Sequence, residues 1–173
     1  MSRIHWGWVC SFWFVFSGVV VAESGYQLPP EEVVDIVDAP PTPSVSLSPD
    51  GEWMLFLNRD AMPSLEDISR RMLRLAGIRI DPEANSQFQT IFYRGIDLRK
   101  TMGGEEIKIP VPAGGKVAGS SWSQDSKRFA YYVVTDEGTQ LWVASVDRPQ
   151  KPQLMTSRLS TVLGGIQWMP DGK

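Results

Sequence analysis

Ser48-Pro49-Asp50-Gly51, Ser123-Gln124-Asp125-Ser126 and Met169-Pro170-Asp171-Gly172 are three versions of one tight turn, and their flanks decide the fold. Pro presets φ at the second position of a type I turn, Asp tolerates the third, and Gly suits the last. Apolar or aromatic residues stand on both sides. They are Val45, Leu47 and Trp53 to Leu57 around the first copy, Trp122 and Phe129 to Val134 around the second, and Ile166 and Trp168 before the third. Each copy therefore reads as strand, turn, strand. The second and third copies stand 46 residues apart, close to the repeat of a four-stranded propeller blade. The first and second stand 75 apart, which leaves room in the first blade for an insertion of roughly 30 residues. The expected fold is all-β: a partial β-propeller of about two four-stranded blades and the start of a third, carrying an inserted α-helix. One Pro-Asp-Gly turn is a weak signal, and an ordinary antiparallel sandwich is the competing reading.

Working outward, residues 44–110 form the first blade, with the insertion at 60–86. Trp53-Met54-Leu55-Phe56-Leu57 is apolar at every position, so both faces of this strand are expected to be buried. In the insertion Ser64 caps a helix and Asp67 completes a capping box. Leu65, Ile68, Met72 and Leu75 follow at helical spacing, and Gly77 is the stop. Glu66 with Arg70, and Asp67 with Arg71, are i,i+4 pairs on that helix. Arg70, Arg71 and Arg74 are the candidate contact for an acidic substrate; a solvated, internally paired helix face is the plainer reading. Residues 88–98 are an outer strand, Met102-Gly103-Gly104 turns, and 105–110 returns. Residues 111–115 link to the second blade at 116–157. Its third strand is 139–146, and Leu154 and Met155 begin its fourth. The third blade opens at Gly164.

Upstream, residues 23–43 are a lead-in. Pro29-Pro30 and the acids Glu31 and Glu32 start a short helix whose Val33, Ile36 and Val37 share a face. The Pro-rich stretch 39–43 then forces an extended path. Glu31-Glu32 is a solvated helix start rather than an acid/base pair. Residues 1–22 read as a secretory signal. Arg3 supplies the positive end, 8–22 is free of charge, and Val20-Val21-Ala22 suits cleavage after Ala22. Export to the periplasm or the extracellular space is therefore expected. A membrane role arises only if that segment stays uncleaved as an anchor.

Composition excludes several chemistries. Of the 173 residues, 17 are Lys or Arg and 20 are Asp or Glu, a formal net charge of −3 with no basic run. That balance does not suit a nucleic-acid partner. His5 is the one histidine and Cys10 the one cysteine, and both lie in the signal segment. Once it is removed, the chain can assemble neither a Ser-His-Asp or Cys-His site nor a His/Cys zinc site. No cofactor, metal or catalytic residue is expected.

Several stretches resemble the prolyl oligopeptidase family of serine peptidases, and within it the glutamyl endopeptidase-like branch. They are Tyr26-Gln27-Leu28-Pro29-Pro30, Asp35-Ile36-Val37-Asp38-Ala39-Pro40-Pro41, Ser46-Leu47-Ser48-Pro49-Asp50, Leu75-Ala76-Gly77-Ile78-Arg79-Ile80 and Phe92-Tyr93-Arg94-Gly95-Ile96. The resemblance implies an N-terminal propeller that limits peptide access to a C-terminal α/β-hydrolase domain, where a nucleophile elbow carries the serine. Gly-x-Ser-x-Gly does not occur in these residues, so no catalytic residue carries over. The resemblance thus implies the non-catalytic propeller part of a secreted serine peptidase. The alternative is a non-enzymatic periplasmic or extracellular propeller that binds a partner.

Overall fold

A computed structural model describes residues 28–170. The signal segment at 1–22, with His5 and Cys10, and the end of the third turn, Asp171-Gly172, lie outside the described residues. In chain order the elements are α1 (Glu31–Asp38), β1 (Ser44–Leu47), β2 (Trp53–Arg59), α2 (Leu65–Ser69), β3 (Leu73–Leu75), β4 (Ile78–Asp81), β5 (Ser86–Gln87), β6 (Tyr93–Lys100), β7 (Ile107–Ile109), β8 (Lys116–Trp122), β9 (Arg128–Thr135), β10 (Gly138–Ser145) and β11 (Arg148–Leu159). The chain is mostly antiparallel sheet, and its strands close into no barrel.

Two four-stranded antiparallel units follow one another. The first runs β1-β2-β6-β7 and the second β8-β9-β10-β11. A single antiparallel bridge, Tyr93 opposite Val117, joins their ladders. Within each unit neighbouring strands pair in sequence order, and the insertion leaves and returns between β2 and β6. The fourth strand of the second unit begins at Arg148, directly after the turn at 146–147, and not at Leu154 as the sequence suggested. Two Gly-containing turns, Met102-Gly103-Gly104 and the one before Gly138, close hairpins where φ is positive.

The core lies between the two units. Leu55 and Leu57 of β2, Ile96 and Leu98 of β6, and Ile109 of β7 meet Val117 of β8, Phe129, Tyr131 and Val133 of β9, and Ala144 of β10. All are buried, and each aliphatic or aromatic side chain of this size stabilises by about 1.5–3 kcal/mol on full burial. Phe129 packs at 5.3 Å from Trp122 and 6.2 Å from Tyr131, ring centre to ring centre. The Tyr131 hydroxyl donates to the Pro110 carbonyl at 3.2 Å, which satisfies the one polar atom this large side chain brings in.

The expectation that both faces of β2 are buried is corrected. Leu55 and Leu57 are buried, whereas Met54 and Phe56 are half-exposed. Successive side chains on a strand point to opposite faces, and only one face of β2 has the second unit against it. Phe56 instead carries the Arg99 guanidinium at 4.7 Å over its ring.

The inserted helix is also corrected. The Ser64 cap forms, with its hydroxyl accepting the Asp67 N–H at 3.1 Å. The helix then ends after five residues; of the expected helical stripe, Met72 lies past its end and Leu75 lies on β3. β3 pairs with β4 as a hairpin through Ala76 and Gly77, both at positive φ. Two consecutive left-handed residues are the signature of a type I′ turn. Leu73 faces Ile80, and Leu75 faces Ile78. β5 completes this small three-stranded sheet, which docks on the second unit. There the Thr139 hydroxyl donates to the Ala84 carbonyl at 2.7 Å, and Thr161 N donates to the Asn85 carbonyl at 3.0 Å. Upstream, α1 forms over the predicted residues, but Val33, Ile36 and Val37 are exposed and none of its residues is buried.

Candidate functional site

The repeated turn is the first feature with a defined polar geometry, and its network is the same twice. In the first copy the Ser48 hydroxyl donates to Asp50 Oδ1 at 2.6 Å and accepts the Trp53 N–H at 2.9 Å, while Asp50 Oδ1 accepts the Glu52 N–H at 3.0 Å. In the second, the Ser123 hydroxyl lies 2.6 Å from Asp125 Oδ1 and accepts the Arg128 N–H at 2.9 Å, and Asp125 Oδ1 accepts the Lys127 N–H at 3.1 Å. The Ser48 hydroxyl and the Glu52 N–H hold the Asp50 carboxyl below its usual range, and the Ser123 hydroxyl and the Lys127 N–H do the same for Asp125. The fourth turn position needs positive φ. Gly51 meets it at 75°, and Ser126 takes it at 58°. Ser126 faces a compensating partner, because its hydroxyl accepts the Asp50 N–H at 3.0 Å. The two turns therefore touch, and Trp122 Nε1 donates to the Ser46 carbonyl at 3.3 Å beside them.

Ser123 has no exposed surface, and Ser123→Ala takes away the hydroxyl that the Arg128 N–H and the Asp125 carboxylate share. It is expected to lower stability by about 1–3 kcal/mol. Urea unfolding followed by tryptophan fluorescence measures this, and an unchanged midpoint would remove the turn network from the account of the fold.

The second feature is an ionic cluster where the insertion meets the second unit. Asp67 is almost wholly buried. It accepts a hydrogen bond from Lys116 Nζ at 2.6 Å and another from the Ser64 hydroxyl at 2.7 Å, and Arg94 lies 3.6 Å away. Burial pushes the Asp67 carboxyl up, but the Lys116 ammonium and the Ser64 hydroxyl outweigh it and leave the group below its usual value. Lys116 also reaches Glu66 at 3.3 Å. Asp81, equally buried, pairs with Arg70. Arg70 and Lys116 both stand over the Phe92 ring, at 5.4 and 5.8 Å.

This cluster decides the fate of the arginines singled out in the sequence. Arg70 is engaged by Asp81 and Phe92, so it is a structural cation. Arg71 and Arg74 are exposed. Arg71 follows the end of α2 and Arg74 sits on β3, so the three do not share a helical face. The i,i+4 pairs give way to longer-range partners: Asp67 takes Lys116, and Arg70 takes Asp81. Register places Arg79 directly opposite Arg74, a neighbour that helical spacing did not reveal.

The third feature is a groove of about 720 Å³ on the open face of the second unit, lined in part by Arg128, Ala130, Leu141, Val143, Met155 and Trp168. Its residues have counterparts in the first unit. Aligning the two Ser-x-Asp turns places Ala130 where Leu55 stands and Tyr132 where Leu57 stands. The registers then place Val143 where Leu98 stands and Leu141 where Ile96 stands. In the first unit that face is sealed by the second. In the second unit it is half-open, and among the described residues the segment 166–168 lies along it, with Arg128 at 5.9 Å from the Trp168 ring.

Among the described residues there is no histidine or cysteine and no group of acidic, His or Cys side chains that could hold a metal. No helix among them is long and apolar enough to cross a membrane. The carboxylates that are organised here are spent on turns and ion pairs. Such an arrangement can pack, dock and position; it holds no nucleophile paired with a base.

No family model matches the chain. It is 36% identical over 162 residues, 86% of its length, to a probable chloroplastic glutamyl endopeptidase of Oryza sativa subsp. japonica, of which it covers 17%. It is also 36% identical over 159 residues, 84% of its length, to a probable chloroplastic glutamyl endopeptidase of Arabidopsis thaliana, again covering 17%. The chain thus spans about one sixth of the length of these curated relatives. Identity at this level over most of the chain relates it to a peptidase family.

Proposed function

We propose that this chain is the non-catalytic propeller part of an exported serine peptidase of the prolyl oligopeptidase family, glutamyl endopeptidase-like branch, and that it restricts peptide access to a hydrolase domain. The 36% identity to proteins named as glutamyl endopeptidases carries this reading. Two further observations support it. The two consecutive four-stranded antiparallel units, built on one repeated turn and packed face to face, have the form of successive propeller blades. The described residues also offer packing surfaces rather than a nucleophile and base, which fits a part that shapes access while chemistry is done elsewhere. A preference for acidic residues in the substrate would follow from the names of the relatives, and the exposed Arg71 and Arg74 are the residues of this chain to test for it.

The test is hydrolysis of a set of peptides and of an unfolded protein. The 173-residue chain alone is expected to cleave none of them. The full polypeptide is expected to cleave short peptides much faster than folded proteins, and loosening the propeller through Phe129→Ala is expected to narrow that difference. Turnover by the clean 173-residue chain, or a full polypeptide without peptidase activity, would overturn the reading in favour of a binding propeller. Finding the mature N-terminus at Glu23 would support export, and an intact 4–22 segment would replace it with a membrane anchor.

A further inference from the structure

The β3–β4 hairpin has an open edge. β3 pairs with β4 on one side, and no strand among the described residues pairs with it on the other. The register fixes what that edge presents. Ala76-Gly77 is a two-residue turn, so Leu75 and Ile78 are the closing pair that exchanges hydrogen bonds. Arg74 and Arg79, the next pair, exchange none, and their backbone groups point outward. On the inner side the Arg79 carbonyl accepts the Phe88 N–H at 2.9 Å. On the other side the N–H and carbonyl of Arg74 face the open edge. The side chains give this edge its charge. In such a pair opposite Cβ atoms lie about 4.5–5.5 Å apart, and like charges there repel. Both arginines are exposed, as is Arg71 just before them. Neither guanidinium of the pair has an ion-pair partner among the described residues, because Asp81 is held by Arg70 and Asp67 by Lys116. A chain of net charge −3 thus keeps two arginines side by side at a strand edge. Leu73 and Leu75 lie on the opposite face of β3 and are also exposed.

We propose that β3 is a docking strand for an extended acidic peptide. The peptide adds antiparallel to the open edge and takes the Arg74 N–H and carbonyl into its ladder. One of its carboxylates meets the Arg74–Arg79 pair, relieves the repulsion and accepts from both guanidiniums. Its apolar residues lie against Leu73 and Leu75. Charge selects this occupant over a second copy of the chain, since a ladder of two β3 strands would set Arg74 against Arg74. That the peptide is a segment of the substrate rests on the peptidase reading; the docking strand itself does not.

The experiment titrates labelled peptides with the 173-residue chain and follows fluorescence anisotropy. The probes are a peptide of alternating Glu and Val, its Lys-Val counterpart, and the Glu-Val peptide N-methylated at its Glu amides. The Glu-Val peptide is expected to bind at least about tenfold more tightly than either of the others. Arg74→Ala and Arg79→Ala are each expected to weaken it about 3–5-fold, and Arg74→Glu by more than about tenfold. Neither alanine variant is expected to lower the urea midpoint, because each ends a repulsion. Equal binding of the acidic and basic peptides, or of the acidic peptide by parent and Arg74→Glu, would overturn the proposal. Undiminished binding of the N-methylated peptide would also overturn it, leaving charge attraction without strand addition. So would self-association of the parent that the Glu-Val peptide displaces, which would assign the edge to a second copy. Hydrolysis by the full polypeptide is read separately, where Arg74→Glu is expected to raise KM for the acidic peptide with kcat unchanged. A full polypeptide without peptidase activity would remove the substrate identity and leave the binding result standing.

Discussion

Phe129→Ala is expected to lower the stability of the folded chain by about 3–5 kcal/mol. The ring has no exposed surface and sits where the two units meet, against Trp122 on one side and Tyr131 on the other. Its removal takes away the transfer free energy of a large side chain and leaves a cavity between two sheets, whose backbones are held by their own ladders and cannot collapse into it. Met54, its counterpart after the first turn, is half-exposed. Met54→Ala is expected to cost about 1 kcal/mol, because little of its surface is removed from water. Chemical denaturation of both variants tests the placement of the core. Equal losses would mean that the two faces of the units are not distinguished as described.

Asp67→Asn is expected to destabilise the chain by about 2 kcal/mol at neutral pH. The substitution keeps the shape and removes the charge that Lys116 and Arg94 face. A pair broken in a fully buried setting costs about 3–5 kcal/mol. Lys116 keeps some contact with water and Arg94 more, which lowers the figure. The pH dependence has a defined sign. The folded-state value of Asp67 lies below the ordinary 3.8, so its contribution is fully present above the unfolded value and is lost as pH falls through the folded one. Asp50 and Asp125 shift in the same direction and add to the same acid transition. The parent is therefore expected to hold a constant urea midpoint from about pH 7 to 5 and to lose stability below about pH 4. The difference between parent and Asp67→Asn should shrink in that acid window. A gap that stays constant down to pH 2 would assign the effect to packing and not to charge.

The ion cluster shows why part of the chain was illegible beforehand. Leu65, Ile68, Met72 and Leu75 do fall at helical spacing, and Ser64 does cap a helix. The helix stops because Arg70 leaves helical geometry, with ψ at 145°, and pairs with Asp81 on β4. A five-residue helix has little cooperative stability of its own, so a buried ion pair and a hairpin with two left-handed turn residues decide the outcome. The same partners drew the acids and bases away from their neighbours in sequence: Lys116 reaches Asp67 across 49 positions.

What the sequence determined by itself was local. The Ser-Pro-Asp-Gly turn and its second version, the apolar run 129–134 and the Gly turn after 101 located most of the strands of the two units, because turn chemistry and strand propensity act over a few residues. The exclusion of His and Cys chemistry downstream of residue 22 was also a matter of composition alone. Only the tertiary structure decided which face of each strand is buried, that Arg70 is a structural cation, that Arg74 stands opposite Arg79, and that the second unit presents an open groove. Those outcomes depend on the partner that the fold brings up, whether Asp81 to Arg70 or β9 to β2, and burial and ion pairing are set by that partner rather than by the segment that carries the side chain.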